Sequence, residues 1–214
     1  MVSVTIFIEG GATGPDSKYL QLRCREGFHK LISKLSLDRS PSLKVCGSRG
    51  NAFRMFQVGH KKSQASQFVA LLIDSEDPIS DVEKTWEHLT ARDSWESPQD
   101  ATNEQVLLMT TCMESWIATD RQALQSHYGA SLQESALPSQ HAMESRDRHS
   151  VQSALAHATR NCKNRYEKGK RSFEILSELS PERLIPHLQS FARVVRILLS
   201  KSGPQASAND DSKL

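Results

Sequence analysis

No apolar run in this chain approaches the about 18 residues that a membrane-spanning helix requires. The first residues show neither a positive region nor an apolar stretch of signal-peptide length. The expectation is a cytoplasmic protein without a membrane partner. Cysteine is scarce: Cys24, Cys46, Cys112 and Cys162 show no CxxC and no metal-type spacing, so they read as reduced structural thiols. The eight histidines show no HxH or HxxxH spacing, which argues against a zinc site. A GxSxG elbow and a Walker A sequence are both missing, which excludes ATP hydrolysis by the latter route. Nor is there an excess of one charge. Lys and Arg total 27 against 25 Asp and Glu, a net +2, so any contact with nucleic acid has to come from local basic segments.

Hydrophobic residues make up only 37% of the 214, but they are concentrated in a few runs, enough for one domain with appendages or a small helical lobe. Two of those runs stand out. Val4-Thr-Ile-Phe-Ile-Glu9-Gly10-Gly11 and Phe68-Val-Ala-Leu-Leu-Ile-Asp74-Ser-Glu76-Asp77 each read as a buried parallel strand that ends in carboxylates. In an open α/β sheet the carboxyl ends of the strands face the ligand crevice. Glu9 beside Asp74, Glu76 and Asp77 would place hard oxygen donors together, an arrangement that a cation such as Mg²⁺ (or Mn²⁺) neutralises.

Between these runs the pattern predicts a helix from Asp16 or Ser17 to about Leu37, weakened at Gly27, and a short strand at Leu43–Cys46. Gly47-Ser-Arg49-Gly50 reads as a loop, followed by a helix over 52–64. A helix over 81–89, a polar loop over 91–101 and a fourth strand, Gln105–Thr111, come next, and Cys112–Asp120 turns into a helix. The order strand, helix, strand, helix, strand predicts an α/β fold with right-handed crossovers over residues 1–130. The segment 131–149, rich in Ser, Gln, Glu and Pro, reads as a flexible linker. A C-terminal helical extension over 150–200 follows, with helices near 150–160 and 170–178. Its last helix is capped by Ser180-Pro181 and runs to Leu199. Residues 201–214 read as a disordered tail.

Several residues admit two readings. Glu114 is either a site carboxylate or an acid favoured by a helix start. Trp116, four residues before Asp120 on one helical face, reads as core. Gly47–Gly50 could offer backbone N–H groups to a phosphate, though it matches no phosphate-loop pattern. The basic run from Arg160 to Arg171 is either a solvated helix junction or a phosphate-tracking patch. In the second case Arg165, Lys168 and Lys170 contact phosphates and Tyr166 stacks on a base.

A strand ending in Glu-Gly, two βα units and an apolar strand ending in an Asp-rich turn together resemble the Toprim fold of topoisomerases, primases and OLD-type nucleases. Met113-Glu114-Ser-Trp116-Ile-Ala-Thr-Asp120, Arg165-Tyr166-Glu-Lys168-Gly-Lys170 and Ser190-Phe-Ala-Arg193 are similar to an uncharacterised bacterial family of small Toprim-like proteins, companions of ATPases in phage-defence loci. The resemblance implies a mostly parallel Toprim-like sheet flanked by helices. It gives Glu9 the role of general acid/base or metal orienter. Asp74 takes the first position of the Asp-x-Asp metal pair, with Glu76, or Asp77 beside it, in the second. Glu114 matches the extra acid of the nuclease branch, and Lys168 or Lys170 the basic residue that offsets phosphate charge. The function implied is a magnesium-dependent nuclease acting on DNA or RNA, as a homodimer or with an ATPase partner. The alternatives are a non-catalytic partner subunit of an ATPase and a nucleotidyl-transfer enzyme using the same ligands.

Overall fold

Short unbroken apolar runs set the architecture. The computed structural model describes residues 2–11 and 17–203. Four strands, β1 (Ser3–Ile8), β2 (Ser42–Val45), β3 (Gln67–Asp74) and β4 (Val106–Met109), form one wholly parallel sheet in the order β2-β1-β3-β4. Nine helices accompany them among the described residues: α1 (Ser17–Ile32), α2 (Arg49–Lys61), α3 (Thr85–Asp93), α4 (Met113–Thr119), α5 (Arg121–Tyr128), α6 (Arg148–Ala158), α7 (Lys170–Leu176), α8 (Pro181–Leu184) and α9 (Gln189–Ser202). This is the α/β class, a parallel sheet flanked by helices, that the strand runs and the resemblance led one to expect.

Alternate strand residues point to opposite faces. Ile6, Ile8, Ala70, Leu72, Leu107 and Met109 pack into a large core with Phe28, Trp116, Leu155, Phe173 and Phe191, whereas Phe7, Val69, Leu71, Ile73, Val106 and Leu108 meet Phe56, Trp86 and Leu89 of α2 and α3. Burial on both faces is why these strands read as unbroken apolar runs. Trp116 is core, with Phe28 and Phe191 edge-on at centroid distances of 6.4 and 4.7 Å.

Several expectations change, among them the helix expected at 81–89, which forms at Thr85–Asp93. The segment 131–149 is not a flexible linker. Its chain turns through three short 3-10 helices, Gly129–Ser131, Glu134–Ala136 and Met143–Ser145, and buries Leu132, Leu137 and Met143 in the large core. Polar composition hid three well-spaced apolar anchors. Glu144 from this segment also accepts the backbone N–H groups of Gln189 (2.7 Å) and Ser190 (2.9 Å), capping the start of α9. The last helix is broken: α8 ends at Leu184 and α9 begins at Gln189, because Pro186 cannot donate a helical hydrogen bond and clashes with the preceding turn. The helix expected at 52–64 begins earlier, at Arg49, since Ser48 acts as its N-cap and accepts from Asn51 N.

The helices expected as an extension share one core with the sheet, and α9 packs on β4 and β1. Its buried Arg193 donates to the carbonyls of Val106 (2.8 Å) and Asn103 (2.7 Å) and pairs with Glu83, so the open side of β4 is satisfied by a side chain. The proposed cap Asp16 and residues 204–214 of the expected tail lie outside the described residues; α9 itself continues to Ser202. No described helix is long and apolar enough to cross a membrane.

Candidate active site

All four strands end on a common cleft of about 380 Å³, β4 through Met109. Its lining includes Glu9 and Gly10 after β1, Gly47 and Ser48 after β2, Asp74 at the end of β3, and Met113 and Glu114 at the start of α4. Lys168, Gly169 and Phe173 close it from the α6–α7 loop and α7. Backbone pairing fixes the alignment. Glu9 N donates to Leu72 O at 2.9 Å, which sets Glu9 alongside the end of β3, and Gly10 N donates to Gly47 O at 3.0 Å. Gly10 has φ +153°, and a Cβ there would fall 2.5 Å from Cys24 Sγ on α1, so only glycine allows so close an approach.

Asp74 is half-buried and accepts from Met113 N at 2.8 Å through Oδ1. Burial raises its pKa well above the usual carboxylate range; the nearby charges of Glu114 and Glu9 add to the rise, and Lys168 and the Met113 amide oppose it. Burial likewise raises Glu9, against the pull of the Arg49 guanidinium 3.6 Å away. Glu9 Oε2 is a buried carboxylate oxygen with no hydrogen-bond partner. Glu114 is fully buried at the back of the cleft, where it accepts from Tyr166 Oη (2.7 Å) and Gln152 Nε2 (3.3 Å). Two strained carboxyl groups, a pinned third and one lysine thus converge where the fold places ligands.

The structure brings together Glu9, Asp74, Glu114 and Lys168, and it separates the rest of the sequence-derived set. Glu76 adopts a left-handed backbone (φ 69°) and turns its carboxylate to Arg92, at 2.9 Å, and to Arg148. Asp77 is largely exposed and pairs with Arg92 at 2.8 Å. Neither lines the cleft, so both are withdrawn from the proposed metal-ligand set as it stands. Among the described residues no group of three or more His, Cys, Asp or Glu side chains is arranged to hold a metal ion.

Tyr166 is not a stacking platform: it is 7% exposed, and its hydroxyl is spent on Glu114, which pushes its ionisation further up along with burial. Arg165 and Lys170 are exposed on the α6–α7 loop and the first turn of α7, beside the cleft rather than in it. Asp120 is a structural residue, accepting from Ala123 N (3.0 Å), Ser180 N (2.8 Å) and Arg183 Nε (2.6 Å). The cysteines are free thiols, and burial pushes Cys112, near the cleft, up to about 12.

Arg49 is the residue that sequence reasoning left in a loop. In the first turn of α2, it donates to the carbonyl of Asp74, forks onto Asp93 (2.6 Å and 3.3 Å) and faces Glu9, with Trp95 beneath it at 5.1 Å. The one sequence signal for it was Ser48 as a helix cap; its acidic partner Asp93 is 44 residues away.

No curated protein and no solved structure matches the chain. The model of the Domain of unknown function (DUF4276) matches residues 19–199, which takes in Asp74, Glu114 and Lys168 and begins after Glu9. The chain belongs to the DUF4276 family.

Proposed function

We propose that this cleft hydrolyses phosphodiester bonds in nucleic acid with the help of Mg²⁺ or Mn²⁺. The observation that carries the reading is the pair Glu9 and Asp74, delivered by adjacent strands to one cavity, with a buried oxygen on Glu9 that accepts no hydrogen bond and has only the Arg49 guanidinium, 3.6 Å away, as its counter-charge. Two such carboxylates repel one another, and a cation would remove the penalty. The donor set fits. Mg²⁺ takes hard oxygen ligands and is often held by only one or two carboxylates, with waters and substrate phosphate oxygens completing its shell. Glu9 and Asp74 would hold it, and when bound it would supply charge stabilisation and water activation.

The protein's own groups support that chemistry. Tyr166 and Gln152 fix Glu114 behind Asp74, so the acidic character of the cleft does not depend on a mobile side chain. Arg49, anchored by Asp93, keeps Glu9 in place from one side. Lys168, at the rim, attracts the phosphate and offsets its charge.

A second reading rests on Glu76. Its engagement by Arg92 and Arg148 leaves the second position of the metal pair occupied by an ion-pair network, which favours a binding module, such as a non-catalytic partner of an ATPase, over an enzyme. Calorimetry with Mg²⁺ and Mn²⁺, paired with cleavage of mixed DNA and RNA, separates the two. Metal binding and cleavage that are both lost in Asp74→Asn support the nuclease. Metal binding that is unchanged in that variant rules out the site.

A further inference from the structure

We propose that the outer face of α1 is a track for single-stranded nucleic acid leading into the cleft, with Tyr19 as its base-stacking platform. The proposal rests on the phosphodiesterase reading and gives it a substrate path. Helix α1 carries Lys18, Arg23, Arg25 and Lys30 against a single carboxylate, Glu26, which Arg23 already engages at 3.1 Å. Cys24, Gly27, Phe28, Leu31 and Ile32 face the core, so at 3.6 residues per turn all four cations fall on the remaining outward arc. They are spread over that arc, Arg23 and Lys30 on one flank and Lys18 and Arg25 on the other.

The same face exposes Tyr19 (43%) and Leu22 (42%), two of the few large apolar side chains in contact with solvent. Tyr19 is set among cations. Arg23 Nε donates to its hydroxyl at 3.2 Å, the Arg23 guanidinium lies 5.3 Å from the ring centroid, and Lys170 acts on the same phenol, whose pKa is lowered by the two. Lys170 follows Lys168 by two residues, and Leu20, the neighbour of Tyr19, lines the cleft. Lys170 and Arg23 thus meet at Tyr19, beside the cleft that Lys168 closes. Farther along the helix, Arg25, Glu26, His29 and Lys30 border a second depression of about 370 Å³ against Pro41, Ser42 and Leu43.

An exposed aromatic ring between phosphate-binding cations suits unpaired bases, whose faces are free to stack. It does not suit a membrane surface, because the apolar face that an interfacial helix would insert is already buried in the core here. Arg165 and Lys163, both exposed on the adjoining loop, extend the positive field.

Fluorescence anisotropy with a labelled oligothymidylate in EDTA, where no cleavage occurs, tests the track independently of the chemistry. Single strands should bind more tightly than duplex, and Tyr19→Ala should weaken them about 5- to 100-fold. Arg25→Gln and Lys30→Gln should each lower the slope of log affinity against log salt by ~0.7. These side chains are exposed, and a thermal melt matching wild type confirms that each variant folds. Wild-type affinity and slope in all three variants would overturn the proposal, as would binding to phosphatidylserine vesicles but not to oligonucleotide. Binding that behaves as expected in a protein that never cleaves would leave the track standing and remove the phosphodiesterase reading.

Discussion

Asp74 sits in a place that disfavours charge. Burial comes first among the causes, with Glu114 from α4 and Glu9 from β1 adding to it; Lys168 and the Met113 amide offset only part. Its pKa in the folded protein therefore lies above the unfolded value of about 3.9. Between those two values the native state holds a proton that the unfolded chain has released, so stability is lost as pH rises through the folded pKa. Asparagine keeps an oxygen for the Met113 amide and carries no charge. In EDTA, Asp74→Asn should melt above wild type at pH 8, by about 2–4 °C for each kcal/mol relieved, and the gap should close towards pH 4. A gap that does not vary with pH would show that the charge is not the cause. That Glu9, Asp74 and Glu114 share one edge was legible in the sequence because two strand ends and a helix start carry them there. Lys168, in a loop, was offered only by the basic run and the resemblance, as one of two lysines. Glu76 and Tyr166 were misread because their partners are remote: Arg92 and Arg148 lie 16 and 72 residues from Glu76, and Glu114 lies 52 from Tyr166. No local pattern announces such pairings.

At the level of elements, the contact between α1 and α7 positions the basic side of the cleft. Gly27 looks like a weak point within α1, because glycine costs a helix roughly 1 kcal/mol relative to alanine. Its reason is packing. A Cβ at this position would lie 2.8 Å from the carbonyl oxygen of Phe173 and 3.3 Å from Leu176 Cδ2, so glycine lets α7 sit directly on α1. Gly27→Ala should destabilise the protein by about 1–3 kcal/mol through overpacking, despite alanine's better helix propensity. Urea unfolding would read the loss as a lower midpoint at an unchanged slope; a stabilised variant would mean that α7 yields freely. Element boundaries were otherwise legible where the chain's chemistry is local: β1 and β3 by their apolar runs, and α8 by Ser180 and Pro181. They were not legible where a short run of polar residues hides spaced anchors, as Leu132, Leu137 and Met143 do.

Across the whole molecule, those anchors remove the expected border between a domain over 1–130 and an extension after it. The large core is assembled from β1, β3 and β4 at one end of the sequence and from α6, α7 and α9 at the other, with Trp116 wedged between Phe28 and Phe191. Arg193, late in the chain, closes the edge of β4, and Lys168, also late, completes the cleft. The site therefore exists only once both halves are packed. Residues 1–130 expressed alone should not fold, since one face of the sheet would be bare and the carbonyls of Val106 and Asn103 would lose the Arg193 donors. In the intact chain, fluorescence offers a matching test. Trp116 reports on the large core, and Trp86 and Trp95 report on the opposite face of the sheet. In Trp116→Phe, which keeps Trp86 and Trp95, and in Trp86→Phe/Trp95→Phe, which keeps Trp116, the fluorescence transition should coincide with that of the backbone circular dichroism of the same variant, as one cooperative unit requires. Separate transitions, or a cooperatively folding 1–130 fragment, would restore the border and mean that Lys168 is brought to Glu9 and Asp74 by docking of a second unit rather than by folding.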